Sequence, residues 1–81
     1  MSKTAEWAAI AEVVEELETY QKSRLLQHGR RIVPTLTPED MWQPNDYPEL
    51  EHHPEFRYEE GVLAGILTLK TALLAHRNSL D

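Results

Sequence analysis

Cysteine is absent from this chain of 81 residues, and glycine occurs only three times. Without cysteine, disulfides, thiolate metal sites and cysteine nucleophiles are excluded. Three scattered glycines also leave no glycine-rich loop of the kind that cradles phosphates. A chain this short forms one domain with a thin core. Small domains without disulfides commonly gain stability from a metal or a partner subunit.

Long apolar runs and centrally placed basic residues are missing as well. The most apolar stretch, residues 62–75, is shorter than the ~20 residues that span a bilayer, and Lys70 interrupts it. The first six residues lack the apolar core of a signal peptide, so we expect a cytoplasmic protein without a membrane segment. The net charge is −6, and residues 32–54 carry five acidic side chains with no lysine or arginine. Such an acidic chain repels phosphate backbones, which disfavours nucleic-acid binding.

Two stretches with helical periodicity predict an all-α antiparallel hairpin in a single domain. The first helix is predicted over about residues 4–30, with Gly29 as a C-terminal signal. Its apolar residues recur at three-four spacing in one stripe: Trp7, Ile10, Val14, Leu17 and Leu25. The second helix is predicted over about residues 54–77, because Pro54 is a favoured first-turn residue.

The connector, about residues 31–53, contains four prolines and is long for a structureless loop in a compact domain. We therefore predict that it is ordered against the helices. A short helical turn is expected at Thr37-Pro38-Glu39-Asp40, where a capping threonine precedes a proline and two acids.

The second predicted helix is apolar on more sides than one neighbour can cover, and this predicts a second chain. Two such hairpins would form a four-helix bundle, most simply as a homodimer. The predicted interface residues are Gly61, Val62, Gly65, Ile66, Leu69 and Leu73. The two glycines would let backbones approach closely. Alternatively, the helix begins after Gly61 and Gly65 is a tolerated defect.

Four polar residues fall where the helical pattern calls for apolar ones: Gln21, His28, Glu59 and Lys70. One interpretation is that each fixes register or orientation in a helical seam. The other is that they converge in a polar pocket, since antiparallel pairing brings the end of the first helix near the start of the second.

A metal-binding function is one hypothesis, because His52 and His53 lie among carboxylates that include Glu49 and Glu51. Pro48 and Pro54 flank this cluster, which indicates a loop rather than a helix that projects paired ligands. No spacing of nucleophile, base and orienting group is visible, so we predict no catalytic residues and no cofactor.

Protein binding is the function that the sequence favours. Trp42 and Tyr47 lie in an acidic, proline-rich segment whose composition is typical of a binding epitope if the rings are exposed. If they are buried, they simply seal the helix pair. The leading hypothesis is a non-enzymatic interaction or regulatory module that acts as a helical dimer. Besides this hypothesis and the metal-binding one, a third hypothesis is that the chain is an accessory subunit of a larger enzyme complex.

Overall fold

The computed structural model describes residues 3–43 and 46–80, with side chains for residues 5–43 and 46–79. All of the regular structure in these residues is helical. Helix α1 spans Lys3–Ile32, a 3₁₀ turn spans Asp40–Trp42, α2 spans Pro48–Glu51 and α3 spans Pro54–Leu80. The two long helices pack against each other in antiparallel orientation. The predicted all-helical hairpin is therefore confirmed, with each long helix extending two to three residues beyond its predicted end.

Gly29 does not end α1, and the prediction that it does was wrong. The helix continues to Ile32, and no glycine among the described residues has a positive φ. Gly29 is instead buried where three segments meet. A methyl group added there would clash with a side-chain carbon of Leu36 and lie 3.4 Å from the Phe56 ring. The missing side chain is thus required by the close approach of the connector and α3.

The hydrophobic core lies at the connector end of the hairpin. Its buried members come from α1, the connector and α3: Leu25, Leu36, Leu50, Phe56 and Leu63. Leu50 and Phe56 are completely buried, at 0% exposure. Burying such a side chain contributes ~1.5–3 kcal/mol. The connector is therefore the third layer of the core, as predicted from its prolines and apolar residues.

The connector is held by local capping. The Asp40 carboxylate accepts a hydrogen bond from the backbone N–H of Thr37 (2.9 Å), and the Asp40 N–H donates to the Thr37 hydroxyl (3.3 Å). The predicted turn at residues 37–40 is present and leads into the 3₁₀ turn. The one-turn helix α2 was not predicted. Pro48 starts it, and it places Leu50 in the core.

His53 marks the start of α3, where its Nδ1 accepts a hydrogen bond from the backbone N–H of Phe56 (3.4 Å). At the other end of the hairpin α1 and α3 pack on each other with no third element among the described residues, and the rings of Trp7 and His76 lie 6.0 Å apart. The body measures 47 × 19 × 18 Å. Within the described residues, neither long helix has a stretch apolar enough to cross a membrane.

Candidate functional site

A buried polar cluster joins α1 to α3 near the connector end. The side-chain amide of Gln21 donates to the Glu59 carbonyl oxygen (3.0 Å) and to its carboxylate (2.6 Å). Arg24 Nε donates to the other carboxylate oxygen at 2.9 Å, and His28 Nε2 lies 3.9 Å from that oxygen. Both Gln21 and Glu59 are buried. We call these four residues the polar cluster.

Hydrogen bonding sets the charge state of this cluster. The hydrogen bond from Gln21, followed by that from Arg24, holds the pKa of Glu59 below its ordinary value, although burial acts in the opposite direction. The contact with Glu59 also raises the pKa of Arg24. Glu59 is thus an ionised carboxylate with donors on both oxygens, which is the condition for burying a charge at low cost.

Three of the four polar residues predicted in the helical seam do meet, but Lys70 does not join them. Its ammonium lies 2.8 Å from the Glu18 carboxylate, which also pairs with Lys22 at 2.6 Å. These contacts lower the pKa of Glu18, and the contact with Glu18 raises the pKa of Lys70. The separation follows from helix geometry, because Glu59 and Lys70 are three turns apart, roughly 16 Å.

Arg24 and Glu18 were not recognised as pairing residues from the sequence. Helical periodicity gives no sign of the Arg24 pairing, because its partner lies 35 residues away. Within the described part of the chain, every buried side-chain nitrogen and oxygen has a hydrogen-bond partner. The polar cluster is therefore internally satisfied and fixes how α1 and α3 align.

The residues predicted as an interface on the second helix are only partly covered by this chain. Leu69 is 50% exposed, and Val62, Ile66 and Leu73 are half-buried. Gly61 and Gly65 are exposed, and a methyl group added to either would meet no atom within 4 Å. The alternative in which the helix begins after Gly61 is wrong, since α3 begins at Pro54.

A matching strip runs along α1. Ile10 and Leu17 were predicted to face the other helix, but they are 44% and 48% exposed. Together with Val13 and Tyr20, at 56% and 63%, they recur at i, i+3, i+7 and i+10. That spacing was visible in the sequence and places all four on one side of a helix.

These two strips lie on the same side of the hairpin. One turn beyond each strip, Arg24 and Tyr58 line a shared surface depression of about 430 Å³ together with His28, Glu55 and Glu59. The connector packs on the opposite side. We call the combined surface the apolar face, and its members are Ile10, Val13, Leu17, Tyr20, Val62, Ile66, Leu69 and Leu73.

Opposite the apolar face, the connector forms one wall of a groove of about 470 Å³. Trp42 stands at its rim with 63% of its surface exposed, and the Lys22 ammonium lies 5.8 Å from the centre of its ring. Tyr47, the other predicted epitope residue, is half-buried and packs against the core. We call this surface the Trp42 groove.

The residues proposed as metal ligands are not brought together. His53 is half-buried and caps α3, while His52 is exposed. Glu49 is exposed, and Glu51 is half-buried at the end of α2. Among residues 3–43 and 46–80, no group of three or more histidine, aspartate and glutamate side chains is placed to hold a metal ion.

The geometry therefore offers two surfaces, the apolar face and the Trp42 groove, on opposite sides of a helix pair aligned by buried polar contacts. Comparisons of this chain with protein-family models, with curated proteins and with solved structures give no match.

Proposed function

We propose that this chain is a non-enzymatic interaction module that works as a two-fold dimer of helical hairpins joined through the apolar face. The observation that carries the proposal is the uncovered apolar face, with Val13, Leu17 and Leu69 each about half exposed. Contiguous exposed apolar surface rimmed by polar residues marks interaction sites in proteins.

The amount of exposed surface supports a partner. The accessible surface is 5852 Å² for a mass of 9.4 kDa. A compact monomer of this mass exposes ~5000 Å². The broad side of a body measuring 47 × 19 × 18 Å is comparable with the ~800 Å² that each partner buries in a stable interface.

The order of residues along α1 favours a second copy of this chain as that partner. Glu6, one turn before Ile10, and Arg24, one turn after Tyr20, extend the α1 strip. The strip is acidic at one end, basic at the other and apolar between. A second α1 laid over it in antiparallel orientation places Glu6 opposite Arg24 and Ile10 opposite Tyr20.

The strip on α3 has the same property. An antiparallel α3 places Val62 opposite Leu73 and Ile66 opposite Leu69. The strips have their midpoints near residues 15 and 68. Those midpoints lie at similar heights, because Glu18 contacts Lys70 and Gln21 contacts Glu59. A single two-fold axis, perpendicular to the helices, can therefore relate α1 to the second α1 and α3 to the second α3, as an isologous interface requires.

Sedimentation velocity at micromolar concentration tests the proposal. The chain is expected to sediment at about twice its mass of 9.4 kDa. Leu69→Glu puts a charge in the middle of the apolar face and is expected to give a monomer, because a buried unpaired charge is costly. Thr71→Glu is the matched control: Thr71 is exposed and lies about 200° around the helix from Leu69.

The orientation of the two copies is tested by a second pair of variants. Glu6→Arg brings two cations together in the proposed dimer and should weaken association by roughly 5-fold, the scale of a modest charge effect. Glu12→Arg makes the same change on the outer side of α1 and should leave association unchanged. A wild-type monomer at these concentrations, or a dimer indifferent to Leu69→Glu, would refute the proposed function.

A further inference from the structure

We propose that the Trp42 groove binds a basic amphipathic helix of a partner protein. This inference rests on the proposed function, because the dimer leaves the groove facing outward on each copy. The groove lies between three walls. These walls are α1, the connector and α3, and the residues that line the groove include Lys22, Leu25, Met41, Trp42, Leu63 and Leu67.

The floor of the groove is continuous with the core and its rim is aromatic. Leu25 and Leu63 are buried core residues, and Leu67 and Met41 are half-buried beside them. Trp42 leaves 63% of its surface exposed at the edge. A tryptophan beside an apolar recess is the type of side chain that dominates binding energy in protein interfaces.

Hydrogen bonds hold the backbone at Trp42, although the ring is exposed. The reciprocal hydrogen bonds between Thr37 and Asp40 start the turn that carries it, and its backbone N–H donates to the Glu39 carbonyl at 3.2 Å. A turn fixed in this way need not become ordered when a partner binds, which favours affinity.

Charge selects a basic partner. The groove's own charges are already paired: Lys22 with Glu18 at 2.6 Å, and Glu60 with Arg57 at 2.9 Å. The connector that forms the outer wall has five acidic residues and no basic residue between positions 32 and 54, and one of them, Glu39, is exposed between the groove residues Pro38 and Met41. A partner that presents lysine or arginine beside its apolar side chains complements this acidic wall, and it does so better than a second copy of this chain, whose net charge is −6.

The open shape of the groove favours a helix over a small molecule. Small-ligand sites bury most of their ligand. Here Trp42 and Ser23 stand exposed at the rim, so a bound molecule would remain open to solvent on one side. An amphipathic helix fits this condition, since its apolar side chains at i, i+3, i+4 and i+7 enter the groove and its polar side faces water.

The test uses a fluorescein-labelled peptide of about four helical turns, with leucines at those positions and lysines elsewhere. A second peptide replaces each lysine with glutamate. Fluorescence anisotropy should show saturable binding of the lysine peptide to the full chain, and this binding should weaken as salt is raised. The glutamate peptide should not bind.

Two matched pairs of variants locate the site. Trp42→Ala should weaken binding by about 30-fold, as loss of an interface hot spot does. Tyr58→Ala removes an aromatic side chain that is 71% exposed on the opposite side and should change nothing. Glu39→Lys should weaken binding by about 5-fold, whereas Glu16→Lys, on the outer side of α1, should not.

Equal binding of the two peptides, no binding of either, or equal affinities for Trp42→Ala and Tyr58→Ala would overturn the inference. Sedimentation of the same samples separates it from the proposed function. If the chain is a dimer that does not bind the lysine peptide, the proposed role of the Trp42 groove is refuted and the proposed dimer is retained. If the chain is a monomer that binds the peptide, the proposed dimer is refuted and the proposed role of the Trp42 groove is retained.

Discussion

The two ends of the hairpin differ in how well the same two helices are covered. At the connector end, the connector adds a third layer and buries residues such as Leu36, Leu50 and Phe56 to 1% exposure or less. At the open end, α1 and α3 pack on each other without a third element from residues 3–43 or 46–80, and Leu74 is 45% exposed. A pair of amphipathic helices therefore needs a third element to complete its core. This chain supplies that element at one end only.

The open end also packs less tightly. A cleft of about 90 Å³ remains there between the helices, and its lining includes Trp7, Val14 and Leu74. At the connector end the contact at Gly29 is so close that an added methyl group would displace the Leu36 side chain. Stability should therefore be concentrated where the connector packs.

The largest expected loss of stability comes from a substitution in the core at the connector end. Phe56→Ala removes a completely buried ring at the junction of α1, the connector and α3. It should lower the free energy of unfolding by about 3–5 kcal/mol, a loss that a domain of this size survives barely, if at all.

Leu74→Ala at the open end is the control and should cost about 1 kcal/mol, because that side chain is already half exposed. Urea denaturation followed by circular dichroism measures both variants at one protein concentration. Equal losses at the two ends would contradict the contrast between them.

The next effect compares two glycines. Gly29→Ala forces a methyl group against Leu36 and should destabilise the fold by about 1–3 kcal/mol. Gly61→Ala adds a methyl group in open space within α3 and should stabilise the fold by about 1 kcal/mol. Thermal unfolding of both variants beside the wild type provides the measurement.

A destabilising Gly61→Ala would show that another chain approaches this glycine closely. The interface would then include Gly61, which lies at the edge of the apolar face, and two backbones would approach closely there.

The smallest expected effect is the loss of folding stability at acid pH. The folded-state pKa of Glu59 lies below its ordinary value of 4.5, so the unfolded chain takes up the proton first as the pH falls. The stabilisation from this carboxylate is therefore complete well above pH 4.5 and is lost as the pH falls through the folded-state pKa. Glu18, held by Lys22 and Lys70, acts in the same direction.

Chemical denaturation at a series of pH values measures this loss. Glu59→Gln should make unfolding stability less dependent on pH in the acid range, while Glu12→Gln, on the outer side of α1, should keep the wild-type dependence. An unchanged pH dependence in Glu59→Gln would mean that the polar cluster does not couple protonation to folding.

The features predicted correctly from the sequence are those set by local periodicity. Three-four spacing gives the two long helices, and the threonine-proline start gives the turn before Trp42. The role of Gly29 could not be predicted, because it depends on Leu36 and Phe56 arriving from two other segments. The same limit applied to Arg24, whose partner is remote in sequence.

Of the candidate site, the sequence offered the meeting of Gln21, His28 and Glu59 only as one of two interpretations, and that interpretation also included Lys70, which contacts Glu18 instead. It also predicted that α3 is apolar on too many sides for one neighbour. It did not place the second strip on α1, because Ile10 and Leu17 fit either side of a broad apolar stripe until the position of α3 is known.

The wide spacing of the core residues along the sequence has a consequence for synthesis of the chain. The core draws on residues from Leu25 to Leu63, so α1 leaves the ribosome with nothing to pack against until most of the chain has been made. An isolated helix holds together poorly in water. Folding is therefore expected as one late event, and a nascent chain that stops before α3 should remain a target for proteases and chaperones.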